Sequence, residues 1–323
     1  MSSKYTYAAT RVKVLEQKLL SETQMEMLLS AKSIPETIKV LQSTYLAPFL
    51  ASQNQIDVTT ALDNNILNAK QLLVSIVPDP EILDILWVKY DYHNLKVIIK
   101  GERGHIEDNQ ILELCFHGGI YQPEELLEHY HKNTLAQLSL FFDEAKSEAK
   151  KTSCIFEIDI AMNIFYFKHI KSLAKKCKNT FAQDFVRLQI DLFNIKMALR
   201  SHSLGLFDYT KVFVEGGIFS DNDLKDKESI FLSLQKLGGK KIWKEAVQVF
   251  EENGSFASFE KIADNYLASF LKSKSNNVFS VAPIFSYFNA QKKNAQTIGT
   301  ILSAKYSGMK EKELRTILRR VYT

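Results

Sequence analysis

The chain has 323 residues, of which 46% are hydrophobic and 24% are charged, and its formal net charge is +4. The hydrophobic content allows a large core and therefore excludes a disordered chain, while the charge is too small to indicate nucleic-acid binding by itself. The three cysteines, Cys115, Cys154 and Cys177, match no metal or redox spacing, so we predict reduced, buried thiols.

The first hundred residues predict a succession of helices separated by short breaks. A capping box at Ser21 and Gln24 starts one helix, and Ile34-Pro35-Glu36 starts another. Pro78-Asp79-Pro80 is a break, because proline disfavours helix in the residue before it. Further helices are predicted over residues 5–20, 56–76 and 81 to about 100, with a loop over residues 45–53.

The middle of the chain predicts long helices. Between Glu124 and Leu204 there is neither proline nor glycine, so only capping residues can interrupt a helix there. Residues 156–176 are rich in isoleucine and phenylalanine, but the length and flanks of this segment favour a buried helix over a strand.

The last third predicts turns at Gly238-Gly239 and Asn253-Gly254, a helix over residues 259–271 and a polar connector over residues 272–277. Pro283 opens a long helix. The chain ends in an amphipathic helix whose inward residues are Leu314, Ile317, Leu318 and Val321. No segment alternates with a period of two between hairpin turns, so we predict an all-α fold.

One motif occurs three times with a period of about 100 residues. It reads DYHNLKVIIKG at Asp91–Gly101, DLFNIKMALRS at Asp191–Ser201 and, in degenerate form, KKNAQTIGTIL at Lys292–Leu302. The third copy has lysines where the first two have an aspartate and an aromatic residue.

Predicted helix starts recur at nearly the same distance before each copy of the motif. Ser21, Gln122 and Ser220 begin helix-start signals that lie 73, 72 and 74 residues before the asparagine of each motif. HGGIY and EGGIF precede the second and third of these starts. Because the helix start and the motif asparagine keep a near-constant separation, we predict three helical repeats. Their predicted bounds are residues 1–104, 105–206 and 207–323.

The motif asparagines are candidate site residues. Each lies on an apolar helical stripe, so its amide should be buried and should need hydrogen-bond partners. We predict a structural clasp in which Asn94, Asn194 and Asn294 each bond a loop or helix end of the same domain. A ligand site is the less favoured alternative.

No catalytic constellation is found in the sequence. His129 and His131 diverge on a helix and lack complementary ligands, so no metal site is predicted. Gly118-Gly119 and Gly216-Gly217 follow no strand and fit no Walker pattern, so they predict turns and not phosphate loops. We therefore predict a non-catalytic mechanical or interaction protein without a cofactor.

Charge is distributed unevenly along the chain. Residues 271–323 hold ten Lys or Arg against two Glu, whereas residues 101–150 hold ten acidic against four basic side chains. We predict that Arg315, Arg319 and Arg320 contribute to docking on an acidic protein surface. Solvated helix faces are the alternative interpretation. Nucleic acid is less favoured, because no binding motif accompanies the basic residues.

The chain resembles the subunit of V-type and archaeal-type ATPases that is called C in prokaryotes and d in eukaryotes. The residues that carry the resemblance are YAATRVKVLEQKLLSETQMEMLLSA, KYDYHNLKVIIKG, IDLFNIKMALR with GLFDYTKVFVEGG following, and AQKKNAQTIGTILSAKYSG. They cover essentially the whole chain, in order.

The resemblance implies a funnel of three similar helical domains, related by pseudo-threefold symmetry and without an active site. In this family the funnel sits on the cytoplasmic end of the membrane rotor ring and receives the tip of the central shaft. The expected partners are shaft subunits of D and F type and ring subunits of c or K type, with the membrane stator subunit as a further candidate.

The expected role follows from that position. Torque passes through the funnel between ATP hydrolysis or synthesis in the head and translocation of H⁺ or Na⁺ by the ring. The chain itself should have no membrane span, because no apolar run reaches the length needed to cross a bilayer. A free-standing α-helical scaffold or adaptor is the alternative interpretation.

Overall fold

The computed structural model describes residues 4–51, 57–205, 208–237, 240–253 and 256–318. Within these ranges the regular structure is helical and contains no β-strand, so the all-α prediction is confirmed. The α-helices are α1 Thr6–Glu16, α2 Glu22–Ser30, α3 Ile34–Leu41, α4 Ala47–Ala51, α5 Val58–Ile76, α6 Asp84–Arg103, α7 Asp108–Glu113, α8 Pro123–His131, α9 Leu140–Lys150, α10 Ile155–Cys177, α11 Thr180–Leu204, α12 Lys227–Lys236, α13 Lys240–Asn253, α14 Phe256–Lys274, α15 Ala282–Tyr306 and α16 Glu311–Ile317. Short 3₁₀ turns occur at Pro80–Leu83, Leu135–Gln137, Tyr209–Val212 and Asp221–Leu224. In the described chain, no helix is both long and apolar enough to span a bilayer.

Contacts among the described residues group into two compact units. The terminal unit consists of Met1–Pro78 together with Lys241–Thr323, and the middle unit is Asp79–Lys240. The division into three domains, with boundaries after residues 104 and 206, stays a prediction, because it is based on the spacing of the repeated sequence motif.

The terminal unit is built around α15. Helices α1, α5 and α14 pack against it, and residues 281–291 are all buried. Leu28, Leu41 and Leu62 join Ile298 and Ile301 of α15 in one apolar cluster. Burying each such side chain contributes about 1.5–3 kcal/mol. Both ends of the chain therefore share a core.

The middle unit is built around α10, which packs against α6, α9 and α11. This helix covers the segment at residues 156–176 for which we predicted a buried helix, and Ile158, Met162 and Ile170 on it are buried. The prediction that capping residues alone interrupt the helices of this region is confirmed only in part, because Cys154 at the start of α10 makes no side-chain capping bond. Ser139 caps α9 and Asn179 caps α11 through side-chain oxygens that accept backbone N–H groups.

Two predictions about local structure are wrong. The segment predicted as a loop over residues 45–53 contains α4, because Pro48 lies in its first turn, where its missing N–H costs no hydrogen bond. The polar connector predicted to begin at Lys272 starts later, since α14 continues to Lys274.

The prediction of buried thiols is also wrong. All three cysteines are unpaired, but Cys154 is exposed and Cys115 and Cys177 are only half-buried. Cys154 immediately precedes α10 and occupies its N-cap position, which leaves the side chain at the surface.

Part of the C-terminal helix prediction is confirmed. Leu314 is buried, and Leu318 packs against the same apolar cluster. Other residues named in the sequence predictions lie outside the described ranges; they are Gly238, Gly239, Gly254, Arg319, Arg320 and Val321.

Candidate functional site

Asn94 on α6 holds one peptide unit of the loop that follows α7. Its Nδ2 donates to the carbonyl oxygen of Phe116 at 2.8 Å, and its Oδ1 accepts from the N–H of Phe116 at 2.9 Å. The side chain of Asn94 is completely buried. We call this two-bond arrangement the asparagine clasp.

Asp91, three residues earlier on α6, binds the same loop. Its carboxylate accepts from the N–H of Ile120 at 2.9 Å and from the N–H of Tyr121 at 3.1 Å. A Cβ at Gly119 would lie 2.1 Å from Asp91 Oδ1, so only glycine allows this approach. The second glycine of HGGIY therefore makes room for a carboxylate of the chain itself.

The same arrangement recurs on α11. Asn194 Nδ2 donates to the carbonyl oxygen of Val214 at 2.8 Å, and Asn194 Oδ1 accepts from the N–H of Val214 at 3.0 Å. The Asp191 carboxylate accepts from the N–H of Ile218 at 2.8 Å and from the N–H of Phe219 at 3.2 Å. Burial raises the pKa of Asp191 even though these bonds oppose that shift.

The sequence analysis singled out the asparagines and missed the aspartates. A Cβ at Gly217 would lie 2.0 Å from Asp191 Oδ1, which repeats the close approach between Gly119 and Asp91. In both repeats an aspartate begins the motif, and a pair of glycines precedes the next helix start. That recurrence is the signal that could have located the contact.

The third motif helix, α15, departs from this arrangement. The position in register with Asp91 and Asp191 holds Gln291, so placing a lysine there was wrong. Gln291 accepts a hydrogen bond from Asn65 Nδ2 at 2.9 Å and donates one to the hydroxyl of Tyr287 at 2.8 Å. The neutral amide of Gln291 thus bonds other side chains, whereas the carboxylates at the equivalent positions bond backbone N–H groups of a loop.

Asn294 does not form a comparable clasp within the described chain. It is buried, yet neither its Nδ2 nor its Oδ1 has a partner there in hydrogen-bond geometry. The Tyr45 hydroxyl lies near the amide of Asn294 and does not complete a hydrogen bond with it either. The third asparagine is therefore buried without the pair of backbone bonds that the other two make.

The segment before the first helix start explains this difference. Phe116 and Val214 each lie six residues before a helix start, and the equivalent position before Ser21 is Leu15. Leu15 lies within α1, and its carbonyl accepts from the N–H of Lys18 at 3.0 Å. Because its backbone is engaged in that helical turn, it offers no free peptide unit to an asparagine.

The two clasps cross the predicted domain boundaries. Phe116 and Val214 fall in the predicted repeat that follows the repeat of their asparagine, whereas both clasps lie within the middle unit. On α15 the corresponding neighbour is the N-terminus, since α1 packs on this helix and Leu19 contacts Ala290. Each motif helix therefore meets the segment that precedes a helix start.

Arg315 is engaged in an ion pair within the chain. Its guanidinium donates to both Glu26 oxygens at 3.0 and 2.6 Å and to Glu311 Oε1 at 2.7 Å. These bonds raise the pKa of Arg315 and lower the pKa of Glu26. The other two predicted docking residues, Arg319 and Arg320, lie outside the described ranges.

The histidines of the predicted His129 and His131 pair have separate partners. His131 Nε2 lies 3.2 Å from the carboxylate oxygens of Asp108, and His129 Nδ1 lies 2.8 Å from Thr134 Oγ1. Among the described residues, no group of three histidine, cysteine or acidic side chains is arranged to hold a metal ion.

Sequence reasoning also missed a buried lysine. Lys146 Nζ donates to the carbonyl oxygen of Tyr130 at 2.6 Å and to Asn133 Oδ1 at 2.7 Å, and it lies 3.9 Å from the centre of the Tyr130 ring. Burial lowers the pKa of Lys146. The lysine satisfies one carbonyl in the last turn of α8 and so has a structural explanation.

Comparison with known proteins gives a match along nearly the whole chain. Residues 8–317 match the model of a family described as ATP synthase (C/AC39) subunit. The chain is 24% identical to the C subunit of the V-type sodium ATPase of Enterococcus hirae, over 95% of each chain. It is 22% identical to the C subunit of the A-type ATP synthase of Methanocaldococcus jannaschii, over 97% of this chain and 86% of the relative.

A third relative covers less of the chain. The C subunit of the V-type ATP synthase of Deinococcus radiodurans is 23% identical over 67% of this chain and 65% of the relative.

Proposed function

The chain belongs to the ATP synthase (C/AC39) subunit family, and we propose that it is the non-catalytic central-stalk subunit of a rotary V-type or A-type ATPase. In this role it couples the central shaft to the membrane rotor ring, so that ATP hydrolysis or synthesis is linked to translocation of H⁺ or Na⁺. It works at the cytoplasmic face of the membrane, as part of a membrane-associated complex.

The extent of the family match carries this proposal. One family model covers residues 8–317, and two relatives named as C subunits align over at least 95% of this chain. A shared motif in one helix would support a shared local structure only. A match over the full set of helices supports a shared role in the complex.

The local structure suits a passive coupler. A torque-bearing body must resist bending, and α10 and α11 run for 23 and 25 residues without proline or glycine. The clasps of Asn94 and Asn194 each tie a loop to a long helix by two hydrogen bonds. These contacts stiffen the connections between helices as well as the helices themselves.

We further propose that three domains, residues 1–104, 105–206 and 207–323, form a funnel with pseudo-threefold symmetry. The recurrence of the motif at about 100-residue spacing supports three domains, as does the equal geometry of the first two clasps. The contact of α1 with α15 supports closure of the repeats upon themselves, because the segment before the first helix start meets the last motif helix.

The proposed partners are the shaft subunits of D and F type and the ring subunits of c or K type, with the stator subunit as a further contact. Arg319 and Arg320 remain proposed docking residues. Arg315 has a role inside the chain through Glu26, so its contribution to docking is proposed to be smaller.

A binding experiment tests this function. The purified full-length chain is presented separately to the purified shaft subunits and to the detergent-solubilised rotor ring of the same complex. We expect binding to both, because a coupler must hold each partner.

The control is a helical protein of similar charge, which should bind neither partner. Binding of the folded chain to neither shaft nor ring would contradict the proposed function. It would favour the alternative of a free-standing scaffold or adaptor.

A further inference from the structure

One side of α10 carries exposed lysines that we call the lysine stripe. Lys168, Lys171 and Lys175 are spaced by three and four residues and so lie on one face of the helix, and Lys178 follows at its C-terminal end. In the part of the chain that the structure describes, none of the four pairs with a carboxylate. Residues 160–183 contain no acidic residue. The stripe therefore presents unpaired positive charge over roughly 15 Å.

An exposed isoleucine lies beside the stripe. Lys171 Nζ donates to the carbonyl oxygen of Glu215 at 2.7 Å, and the lysine side chain crosses Gly216, where an added Cβ would lie 2.7 Å from Lys171 Cε. Ile218 follows two residues later, so its Cα lies within about 7 Å of the Cα of Gly216. Ile218 is 65% exposed. Glu215 brings one negative charge to this edge, against four positive charges in the stripe.

Several fixed contacts hold the loop that carries Ile218. The N–H of Ile218 donates to both carboxylate oxygens of Asp191, at 2.8 and 3.0 Å, and the Asn194 clasp binds the chain just before this point. Gly216 has a φ of 119°, which side-chain-bearing residues rarely adopt. In the first repeat the equivalent Ile120 is bound in the same way but is half-buried. The loop thus presents an apolar side chain at a defined place beside the lysines.

Positive charge next to an exposed apolar side chain fits the surface of an anionic phospholipid bilayer. Lysines attract phosphate headgroups as flexible point charges, and an apolar side chain can enter the boundary between headgroups and acyl chains. The stripe lies on the outer face of a single helix. Mobile headgroups can adjust to its four charges, whereas a protein partner would need carboxylates at matching fixed positions.

We propose that the lysine stripe and Ile218 bind an anionic lipid surface. The inference rests on the proposed function only because a membrane-associated complex brings the chain close to lipid. It requires neither the shaft nor the ring, and its residues all lie in the middle unit. The contact gives the chain a direct attachment to the bilayer surface.

Vesicle binding tests the proposal. The purified full-length chain is mixed with vesicles of phosphatidylcholine, with or without phosphatidylglycerol, and the bound fraction is measured by co-sedimentation at low salt. We expect binding to the anionic vesicles only, and weaker binding as salt is added. The triple variant Lys168→Gln, Lys175→Gln and Lys178→Asn should have an affinity at least about tenfold lower. Lys171 is kept because it bonds the loop.

A matched triple variant controls for the loss of charge. Lys132→Gln, Lys151→Gln and Lys236→Gln remove the same number of charges from exposed lysines outside the stripe. This variant should bind anionic vesicles like the wild type, with circular dichroism confirming that both variants are folded. Equal losses of affinity in the two triple variants would overturn the proposal, as would a wild type that does not bind anionic vesicles.

Ile218→Ser tests the apolar part of the contact. The variant keeps the backbone N–H that Asp191 binds, so the loop should retain its conformation. We expect a several-fold lower affinity for anionic vesicles. Leu232→Ser, which removes an exposed apolar side chain of α12, should bind like the wild type. Equal affinities of Ile218→Ser and the wild type would overturn the insertion of Ile218.

Protein binding separates this inference from the proposed function. The stripe variant should bind the purified shaft subunits and the detergent-solubilised ring as the wild type does. Loss of either interaction in that variant would assign the lysines to a protein partner and overturn the lipid contact. Failure of the wild type to bind shaft and ring, with vesicle binding intact, would contradict the proposed function and leave the lipid contact in place.

Discussion

At the residue scale, the Asn94 and Asn194 clasps show how two side-chain atoms can fix a loop. Each buried amide pairs with both the N–H and the carbonyl of a single peptide unit. An aspartate one helical turn earlier accepts two further N–H groups of the same loop. An unpaired buried peptide group costs about 1–3 kcal/mol, so removal of the amide should destabilise the loop that it binds.

The three asparagines offer an internally controlled test. Asn94→Ala and Asn194→Ala each leave one N–H and one carbonyl without a partner, so each should lower the free energy of unfolding by about 2–4 kcal/mol. Asn294→Ala removes an amide with no bonded partner in the described chain and should cost less. Urea titrations followed by circular dichroism measure the difference. Equal losses at all three positions would contradict the structural clasp.

His169 predicts a pH dependence of stability. It lies beside Tyr92, with its ring stacked on Phe141 at 5.0 Å, and burial lowers its pKa to about 4 from an ordinary value of 6.5. The unfolded chain therefore takes up a proton at higher pH than the folded chain. Stability should be intact above pH 6.5 and fall as the pH drops towards 4, by roughly 3 kcal/mol.

Thermal unfolding between pH 4 and pH 7 measures this effect. The His169→Phe variant keeps an aromatic ring and lacks the titrating group, so its unfolding temperature should fall less steeply with acid. An unchanged slope in the variant would assign the acid sensitivity to other groups.

At the scale of elements, α2 is held by polar contacts from the end of the chain. Lys305 Nζ donates to the carbonyl oxygens of Leu29 and Ala31, which lie at the C-terminal end of α2. Arg315 of α16 binds Glu26 of the same helix. Cations near the last carbonyls of a helix also complement its dipole. Charged contacts thus set how α15 and α16 lie against α2.

A charge swap tests the Arg315 contact. Arg315→Glu brings a third carboxylate beside Glu26 and Glu311, so α16 should lose protection from hydrogen exchange over residues 311–318. The double variant Glu26→Arg with Arg315→Glu should regain part of that protection. The effect should weaken at high salt, because the groups are exposed. Equal exchange in the single and double variants would contradict this pairing.

At the scale of the whole molecule, the two ends of the chain complete one core. α15 is covered by α1 and α5 from the N-terminal side of the sequence and by α14 from the C-terminal side. The middle unit has its own core around α10. The terminal unit therefore depends on contacts between residues more than 200 positions apart, such as Asn65 with Gln291.

Deletion of residues 1–20 should distinguish the two units. Removal of α1 exposes apolar surface of α15, so hydrogen exchange should accelerate in α14 and α15. Helices α10 and α11 of the middle unit should keep their protection. Uniform acceleration in both units would show that they unfold together. Replacement of exposed Val14 by Ser in the full chain is a mild control that keeps α1.

The sequence alone determined the helical class, the recurrence of the motif and the approximate position of several helices, because periodicity, capping residues and proline act within a few neighbouring residues. Ser21 was recognised as a cap in this way. It also indicated that the motif asparagines would be buried, since their helical neighbours are apolar.

Only the tertiary structure decided what those asparagines bind. Phe116 lies 22 residues from Asn94, and the bond forms between a side chain and a backbone peptide, which leaves no residue-type signal at the partner position. The difference at Asn294 depends on α1 being helical at Leu15, and the exposure of Cys154 depends on where α10 begins. These outcomes are set by which segments meet in space, and local propensity carries no information about that.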